Sequence, residues 1–242
     1  MTAYQANEPL HFQNALNVRE LGGYQNKSGQ VLKKGKLLRG GDISGLSEQE
    51  VQELIQYGIK ACIDLRIGKE KIKPHPFYSN DSLIYYRIPI EGKLDSTSAP
   101  GDLLYQLYVG ILEQESIAVV RALKLIANEP EGLIFHCTAG KDRTGILAMF
   151  VLSICDVCEE QIIADYATSA KNNEPAAKRQ MEQLKESGLT SMSLEIFHSD
   201  PETMSRTLEY LKKNYQNPVS YLLQKGLSEL DLEAIRAKLI EN

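Results

Sequence analysis

The chain has 242 residues, of which 43% are hydrophobic and 24% are charged, and it carries a formal net charge of −5. This composition is typical of a folded globular protein and excludes a disordered or low-complexity chain. The acidic balance argues against a general nucleic-acid binder, because affinity for a phosphate backbone comes from clustered lysines and arginines. The length fits a single domain over residues 1–242, which we expect to be a monomer.

The sequence contains no run of about 18 apolar residues and therefore predicts no integral membrane segment. Residues 1–10 also lack the basic stretch followed by an apolar run that marks a secretory signal peptide. The four cysteines are too few for a disulfide framework in a chain of this length: Cys62, Cys137, Cys155 and Cys158. These features predict a cytoplasmic protein, and they leave export into a host or the medium open.

The first half of the chain predicts alternating helix and strand. Residues 1–45 are polar and glycine-rich, which indicates an irregular lead-in with one or two short strands. A capping box at 47–50 predicts a helix from Ser47 that ends at Gly58. The apolar runs at 59–65 and 83–90 then predict strands, and the polar loop at 91–102 is long enough to border a site.

The second half is mainly helical. Helical spacing over 103–127 predicts two helices, and a very short apolar strand follows at 133–135. Residues 146–154 are apolar nearly all round, which indicates a helix buried in the middle of the domain. Later helices are predicted to begin at Asp200-Pro201 and at Ser228, so the fold class is α/β with a helical C-terminal region.

The segment between the strand at 133–135 and the buried helix carries the chemistry. It reads His136-Cys137-Thr138-Ala139-Gly140-Lys141-Asp142-Arg143-Thr144-Gly145. A strand that turns through a glycine-containing loop into a helix directs backbone N–H groups inward, and the positive helix end adds to them. The pattern therefore predicts an anion-binding cradle.

Cys137 is predicted to be the nucleophile at the centre of this cradle, because the positive field favours the thiolate. Arg143, six residues later, can offer a two-pronged guanidinium to two phosphate oxygens. We expect Thr144 to donate a hydrogen bond to the thiolate, and His136 to brace the loop from behind. The alternative, an inert buried cysteine before a turn, does not explain the consistent order of strand, cysteine, glycine, arginine and helix.

These residues resemble the signature loop of protein tyrosine phosphatases, His-Cys-x5-Arg-Ser/Thr. The resemblance is closer to the Cys-x-x-Gly-Lys-Asp-Arg form of bacterial tyrosine phosphatases that also act on phosphoinositides. It extends to the segments Asn17-Val18-Arg19-Glu20-Leu21-Gly22-Gly23 and Asp64-Leu65-Arg66, where the family carries similar motifs. The departure is Glu20, a position at which aspartate is commoner in the family.

The resemblance implies a central, largely parallel sheet of four to five strands flanked by helices. It implies Cys137 as nucleophile and Arg143 as phosphate clamp. The reaction that it implies needs no cofactor or metal. The substrate-binding set comprises the cradle residues Thr138, Ala139, Gly140, Lys141 and Thr144, together with His136, Asp64 and Arg66. The implied substrate is a phosphorylated protein or a phosphoinositide, hydrolysed through a phosphocysteine.

Several roles stay open. The resemblance favours Asp142 as the general acid, whereas an acid from a separate upstream loop would be Asp102 or Asp95. Lys141 is either a contact for a second anionic group or a solvated surface lysine. Asp64 and Arg66 either orient the loop or pair with each other. Arg19 is expected to brace the loop, and a lysine run is either part of the site rim or a solvated face: Lys69, Lys71 and Lys73.

Three functions compete. The first is hydrolysis of phosphomonoesters, with phosphotyrosine preferred and phosphoserine, phosphothreonine and phosphoinositides as further substrates. The second is a phosphate-binding module without turnover. The third uses the loop for another oxyanion, as in arsenate reduction or sulfur transfer, which requires accessory thiols near Cys137. The Cys155-x-x-Cys158 pair indicates core packing rather than such chemistry, because it lies late in a buried helix.

Overall fold

A computed structural model describes residues 7–70, 75–78, 80–92, 103–186 and 199–241. Its centre is a five-stranded sheet in the order β1-β2-β5-β3-β4. Strand β1 is antiparallel to β2, and the other neighbours are parallel, which confirms the predicted largely parallel sheet. The strands are β1 (Arg19–Glu20), β2 (Leu37–Gly40), β3 (Ile59–Asp64), β4 (Ile84–Arg87) and β5 (Gly132–His136).

The helices confirm the α/β class and the helical C-terminal region. They are α1 (Glu48–Gln56), α2 (Leu103–Gln114), α3 (Ser116–Asn128), α4 (Asp142–Ile154), α5 (Glu159–Glu186), α6 (Pro201–Tyr215), α7 (Pro218–Gln224) and α8 (Glu229–Leu239). The predicted caps are present: Ser47 and Ser228 each form a capping box, and Asp200 caps α6 with proline in its first turn. Strand β4 is shorter than the predicted 83–90.

The two faces of the sheet pack against different elements. Alternate residues of β5 enter opposite cores, with Leu133 and Phe135 on the face that α4 covers and Ile134 on the face that α1 covers. Helix α4 contacts β2 and β5 as well as most of the other helices. Of the apolar stretch 146–154, Ser153 is half-buried and every other residue is buried, as the all-round apolar pattern predicts.

This topology brings three strand ends to one edge of the sheet. In the parallel register Gly40 of β2 and Asp64 of β3 both lie beside His136 of β5. The segments that follow these strands therefore converge, as at the ligand-binding edge of open α/β sheets. Within the described part of the chain, no helix combines the length and apolarity required to cross a bilayer.

Candidate active site

The loop that follows β5 lies tightly against the end of β2. Cys137 is buried at its start, and Lys141 is the residue that precedes the first turn of α4. Gly140 has a φ of +66°, and a Cβ on it would overlap the backbone of Gly40 and Gly41. Glycine is therefore required here both by the left-handed backbone and by the lack of space.

The carbonyl groups of the loop are held from behind. Asn17 Nδ2 donates to the carbonyl oxygens of Ala139 and Gly140 at 3.1 and 3.0 Å. The amide of Asp42 donates to the Thr138 carbonyl at 2.9 Å. In a planar trans peptide the N–H lies opposite the C=O of the preceding residue. Fixing these carbonyls therefore turns the following amides towards the other side of the loop, which is the arrangement that an anion cradle requires.

A buried group of charges lies behind the loop. Asp165 of α5 accepts from Arg19 Nε at 2.9 Å and also forms an ion pair with Arg39 NH1. Arg39 NH2 donates to the Gly140 carbonyl at 2.9 Å, so the group contacts the loop directly. Burial alone raises the pKa of Asp165, but the two arginines outweigh it and lower the pKa overall. Two guanidinium groups thus share one carboxylate, and the positive charge favours an anion in the loop.

The predicted bracing role of Arg19 fits this group, since its NH1 also donates to the Asn17 carbonyl. Asp165 and Arg39 were not predicted. Each is a single charged residue in an otherwise ordinary helix or strand, and their pairing depends on chain folding over 126 residues. No local pattern marks them.

His136 forms the predicted ring contacts. Its Nδ1 lies 3.1 Å from the Cys137 carbonyl, which can only accept, so Nδ1 carries a proton. The His75 Nδ1 accepts from the Phe77 amide at 3.3 Å, so in a neutral ring the His75 Nε2 donates to His136 Nε2 across 3.1 Å. Burial lowers the pKa of His136, which favours the neutral ring that this chain of hydrogen bonds needs.

The same histidines belong to a group that has the composition of a metal site. Within the described residues, the ligand atoms of Cys62, His75 and His136 lie within 4.8 Å of one another. These hydrogen bonds, however, already use the two Nε2 atoms: His75 Nε2 carries a proton and donates it to His136 Nε2. We therefore interpret these residues as a hydrogen-bonded support of the loop.

Asp64 and Arg66 form a buried ion pair behind the loop. Both are fully buried, and Arg66 donates from Nε and NH2 to the two oxygens of Asp64, each at 3.0 Å. Arg66 NH1 also contacts Asp42 Oδ1 at 2.6 Å, and the Asp42 amide holds the Thr138 carbonyl. The two residues thus pair with each other and support the loop through Asp42, which are the two roles that the sequence left open for them.

Glu70, which was not predicted from the sequence, forms an ion pair with the guanidinium of Arg143. Arg143 NH1 and NH2 donate to the two oxygens of Glu70, each at 2.7 Å, and the Thr138 hydroxyl donates to Oε1 at 2.7 Å. Burial alone raises the pKa of Glu70, but these hydrogen bonds outweigh it and lower the pKa to about 2. For Arg143 burial alone lowers the pKa, but the hydrogen bonds to Glu70 and the charge of Cys137 outweigh it, so the pKa of Arg143 is raised overall.

Asp142 is the first residue of α4 and is partly exposed at the mouth of the loop. The Tyr108 hydroxyl donates to its Oδ1 at 2.8 Å, and Lys141 Nζ lies 3.4 Å from the same oxygen. Lys141 is only 2% exposed, so the interpretation as a solvated surface lysine is wrong. Its long side chain is buried beside the loop and its charge is paired with Asp142.

The remaining predicted loop residues divide by exposure. Thr138 and Ala139 are exposed at the rim, whereas Gly140 and Thr144 are buried. In the structure as described, the Thr144 Oγ1 has no hydrogen-bond partner, so the predicted hydrogen bond to Cys137 is not present. Asp95, Asp102, Lys71 and Lys73 and the Lys69 side chain lie outside the described residues.

The other cysteines lie away from Cys137. Cys155 follows the far end of α4, a helix of 13 residues and therefore roughly 20 Å long. It is buried, and burial raises its pKa to about 12, which disfavours a reactive thiolate. Cys158 is half-buried, and Cys62 lies in the core on the opposite face of the sheet from Cys137.

A parallel sheet whose central strand leads through a Cys-x5-Arg loop into a buried helix defines the class of cysteine-based phosphatase folds. A family model described as "Tyrosine phosphatase family" matches residues 10–241. The chain therefore belongs to the tyrosine phosphatase family.

Relatives in bacteria carry corresponding names. A tyrosine-protein phosphatase of Nostoc commune is 36% identical over 141 residues, which cover 55% of this chain and 48% of that protein. The chain thus spans about half the length of that relative. The triple specificity protein phosphatase PtpB of Mycobacterium tuberculosis is 23% identical over 275 residues, covering 92% of this chain and 99% of that protein. The solved structure of TpbA from P. aeruginosa has a TM-score of 0.41 at 11% identity, covering 73% of this chain and 90% of that one.

Substituting Asp165 tests the buried charge group. Asp165→Asn leaves two buried guanidinium groups without their shared carboxylate, so we expect the free energy of unfolding to fall by about 3–5 kcal/mol. The matched control is Asp156→Asn, which breaks the exposed ion pair with Lys27 and should cost about 0–1 kcal/mol. Urea denaturation measures both, and equal losses would contradict the role assigned to Asp165.

Substituting Glu70 tests its contact with Arg143 through the pH dependence of stability. The folded-state pKa of about 2 lies below the ordinary value of 4.5, so the stabilisation is complete above pH 4.5 and is lost as the pH falls towards 2. Glu70→Gln should therefore flatten the fall in unfolding free energy over this window. The exposed carboxylate of Glu48 provides the control: Glu48→Gln should keep the wild-type slope.

Proposed function

We propose that this protein hydrolyses phosphomonoesters, with phosphotyrosine in proteins or peptides as the preferred substrate, through a phosphocysteine intermediate. One observation carries the proposal. Cys137 lies at the base of a loop whose carbonyls are tied down from behind, and Arg143 stands at its rim with both terminal nitrogens directed to one carboxylate. Such a loop suits an oxyanion more than any neutral ligand.

In the first step the Cys137 thiolate attacks phosphorus and the bond to the ester oxygen breaks. The amides of the loop and the Arg143 guanidinium stabilise the charge on the phosphoryl oxygens. Asp142 gives its proton to the departing oxygen, so an alcohol leaves and the phosphoryl group stays on sulfur. In the second step water attacks phosphorus, Asp142 takes back a proton, and inorganic phosphate and the thiolate are released.

The position of Asp142 supports its role as the acid. It is partly exposed beside the loop, and its carboxyl group is held by a neutral donor, Tyr108, as well as by Lys141. The buried Asp64 is bound on both oxygens by Arg66 and is therefore unsuited to proton transfer.

Family membership and the names of the relatives support phosphotyrosine as the main substrate. The M. tuberculosis relative is named a triple specificity protein phosphatase, which supports extending the proposal to more than one class of phosphorylated substrate. Phosphoserine, phosphothreonine and phosphoinositides are the further substrates that we propose. Lys141 does not strengthen the phosphoinositide part, because its charge is buried and paired rather than offered to a second phosphate.

A binding module without turnover is the second candidate, and the occupied state of Arg143 is the observation that favours it. Glu70 already holds the guanidinium and the Thr138 hydroxyl, so the loop has a protein anion at its rim. Sulfur or arsenate chemistry has less support, since the described cysteines other than Cys137 lie far from the loop or across the sheet.

The substrate proposal is tested with a panel of phosphotyrosine peptides, phosphoserine peptides and soluble phosphoinositides, measured as phosphate release. We expect the highest kcat/KM on phosphotyrosine peptides and no release by Cys137→Ser, because serine lacks the thiolate nucleophile. Cys155→Ser is the matched control and should retain activity. Tight binding of the peptides by the wild type without release would select the binding module instead.

The acid role is tested by the dependence of Asp142→Asn on the leaving group. A general acid contributes about 10²–10⁴-fold, and it matters most when the departing oxygen is strongly basic. We therefore expect a much larger loss of kcat/KM, which reports the step that releases the leaving group, on phenyl phosphate than on p-nitrophenyl phosphate. Equal losses on both esters would show that Asp142 is not the general acid and that another residue of the chain has this role.

A further inference from the structure

Two buried tyrosine hydroxyls stand behind the Asp142 carboxyl group. Tyr108 of α2 lies 2.8 Å from Asp142 Oδ1 and 2.7 Å from the hydroxyl of Tyr166 of α5. Both tyrosines are essentially inaccessible, and their rings meet edge to face with centroids 6.0 Å apart. Tyr166 also packs on Gly145, where an added Cβ would lie 3.2 Å from its ring. The pair thus links three helices at the first turn of α4.

The direction of the hydrogen bonds follows from the groups themselves. An ionised carboxylate only accepts, so Tyr108 gives its single proton to Asp142 and must accept from Tyr166. Burial raises the pKa of both tyrosines, so the pair stays protonated across neutral pH. The donor to Asp142 is therefore permanent and uncharged.

The donors to Asp142 fall on one of its two oxygens. The Tyr108 hydroxyl contacts Oδ1 and Lys141 Nζ lies nearest the same atom, and Oδ2 receives neither. When the carboxyl group takes up a proton, an oxygen that already accepts the Tyr108 hydrogen bond and faces the Lys141 ammonium group is the poorer site for it. The proton accordingly sits on Oδ2, the oxygen left for transfer.

We propose that Tyr108 is a positioning residue for the acid step: its hydroxyl, backed by Tyr166, fixes the Asp142 carboxyl group so that Oδ2 carries the proton delivered to the leaving oxygen. This rests on the proposed function, and specifically on Asp142 as the acid. Tyr108 touches no substrate and acts through Asp142.

Tyr108→Phe tests the proposal because it deletes the hydroxyl and keeps the ring. Loss of one hydrogen bond to a charged group is worth roughly tenfold, so we expect kcat/KM on phenyl phosphate, which reports the step that releases the leaving group, to fall about tenfold. The loss on p-nitrophenyl phosphate should be clearly smaller. In the Asp142→Asn background, Tyr108→Phe should cause no additional loss, since the group it positions is gone.

The matched control is Tyr221→Phe, which removes a buried hydroxyl that donates to the Leu112 carbonyl in the helical core. This control should change kcat/KM little, and to the same extent on both esters. Vanadate affinity and melting temperature, measured on each variant, report whether the loop and the fold are intact. Tyr166→Phe should repeat the leaving-group pattern of Tyr108→Phe with a smaller loss.

An equal fall on both esters, no fall at all, or an additional loss in the Asp142→Asn background would overturn the positioning role while leaving the hydrolase intact. Failure of the proposed function has a different signature: the wild type itself would release no phosphate from either ester. A wild type that turns over and an Asp142→Asn variant without leaving-group dependence would overturn the acid assignment and Tyr108's role together.

Discussion

Asp165 is held between two arginines in the interior, and the shape of the loop that contains Cys137 depends on that contact. Arg39 contacts both Asp165 and the Gly140 carbonyl of the loop. Arg19 contacts both Asp165 and the backbone carbonyl of Asn17. The Asn17 side chain in turn donates to the Gly140 carbonyl. A buried carboxylate with two cations is costly to assemble and costly to break. It therefore fixes β1, β2 and α5 relative to the loop, and it leaves net positive charge where an anion must bind.

The other supports of the loop are arranged on the same plan. His75 and His136 hold the Cys137 carbonyl from one side, and Arg66 acts through Asp42 on the Thr138 carbonyl. Each support ends on a carbonyl oxygen, so the loop's acceptors are consumed inside the protein. The carbonyls are thereby held on one side of the loop, which turns the amides that follow them to the other side, and such an arrangement suits an oxyanion.

The sequence predicted features that depend on neighbouring residues. The caps at Ser47, Asp200 and Ser228, the buried α4 and the order of the loop all follow from patterns of a few residues, and the structure contains them. Glu70, Asp165 and Tyr108 escaped prediction because their partners lie 73, 126 and 34 residues away. Lys141 was misjudged as a possible surface residue, since only tertiary packing buries a lysine at the start of a helix.

The contact between Glu70 and Arg143 has a thermodynamic consequence for ligand affinity. The positive charge of the Arg143 guanidinium is paired with the Glu70 carboxylate through two hydrogen bonds. A dianion that displaces the carboxylate swaps one negative partner for another, and the desolvation cost of the arginine has been met during folding. The affinity for a dianion is then a difference between two strong attractions, so it can be moderate although the arginine binds each partner strongly.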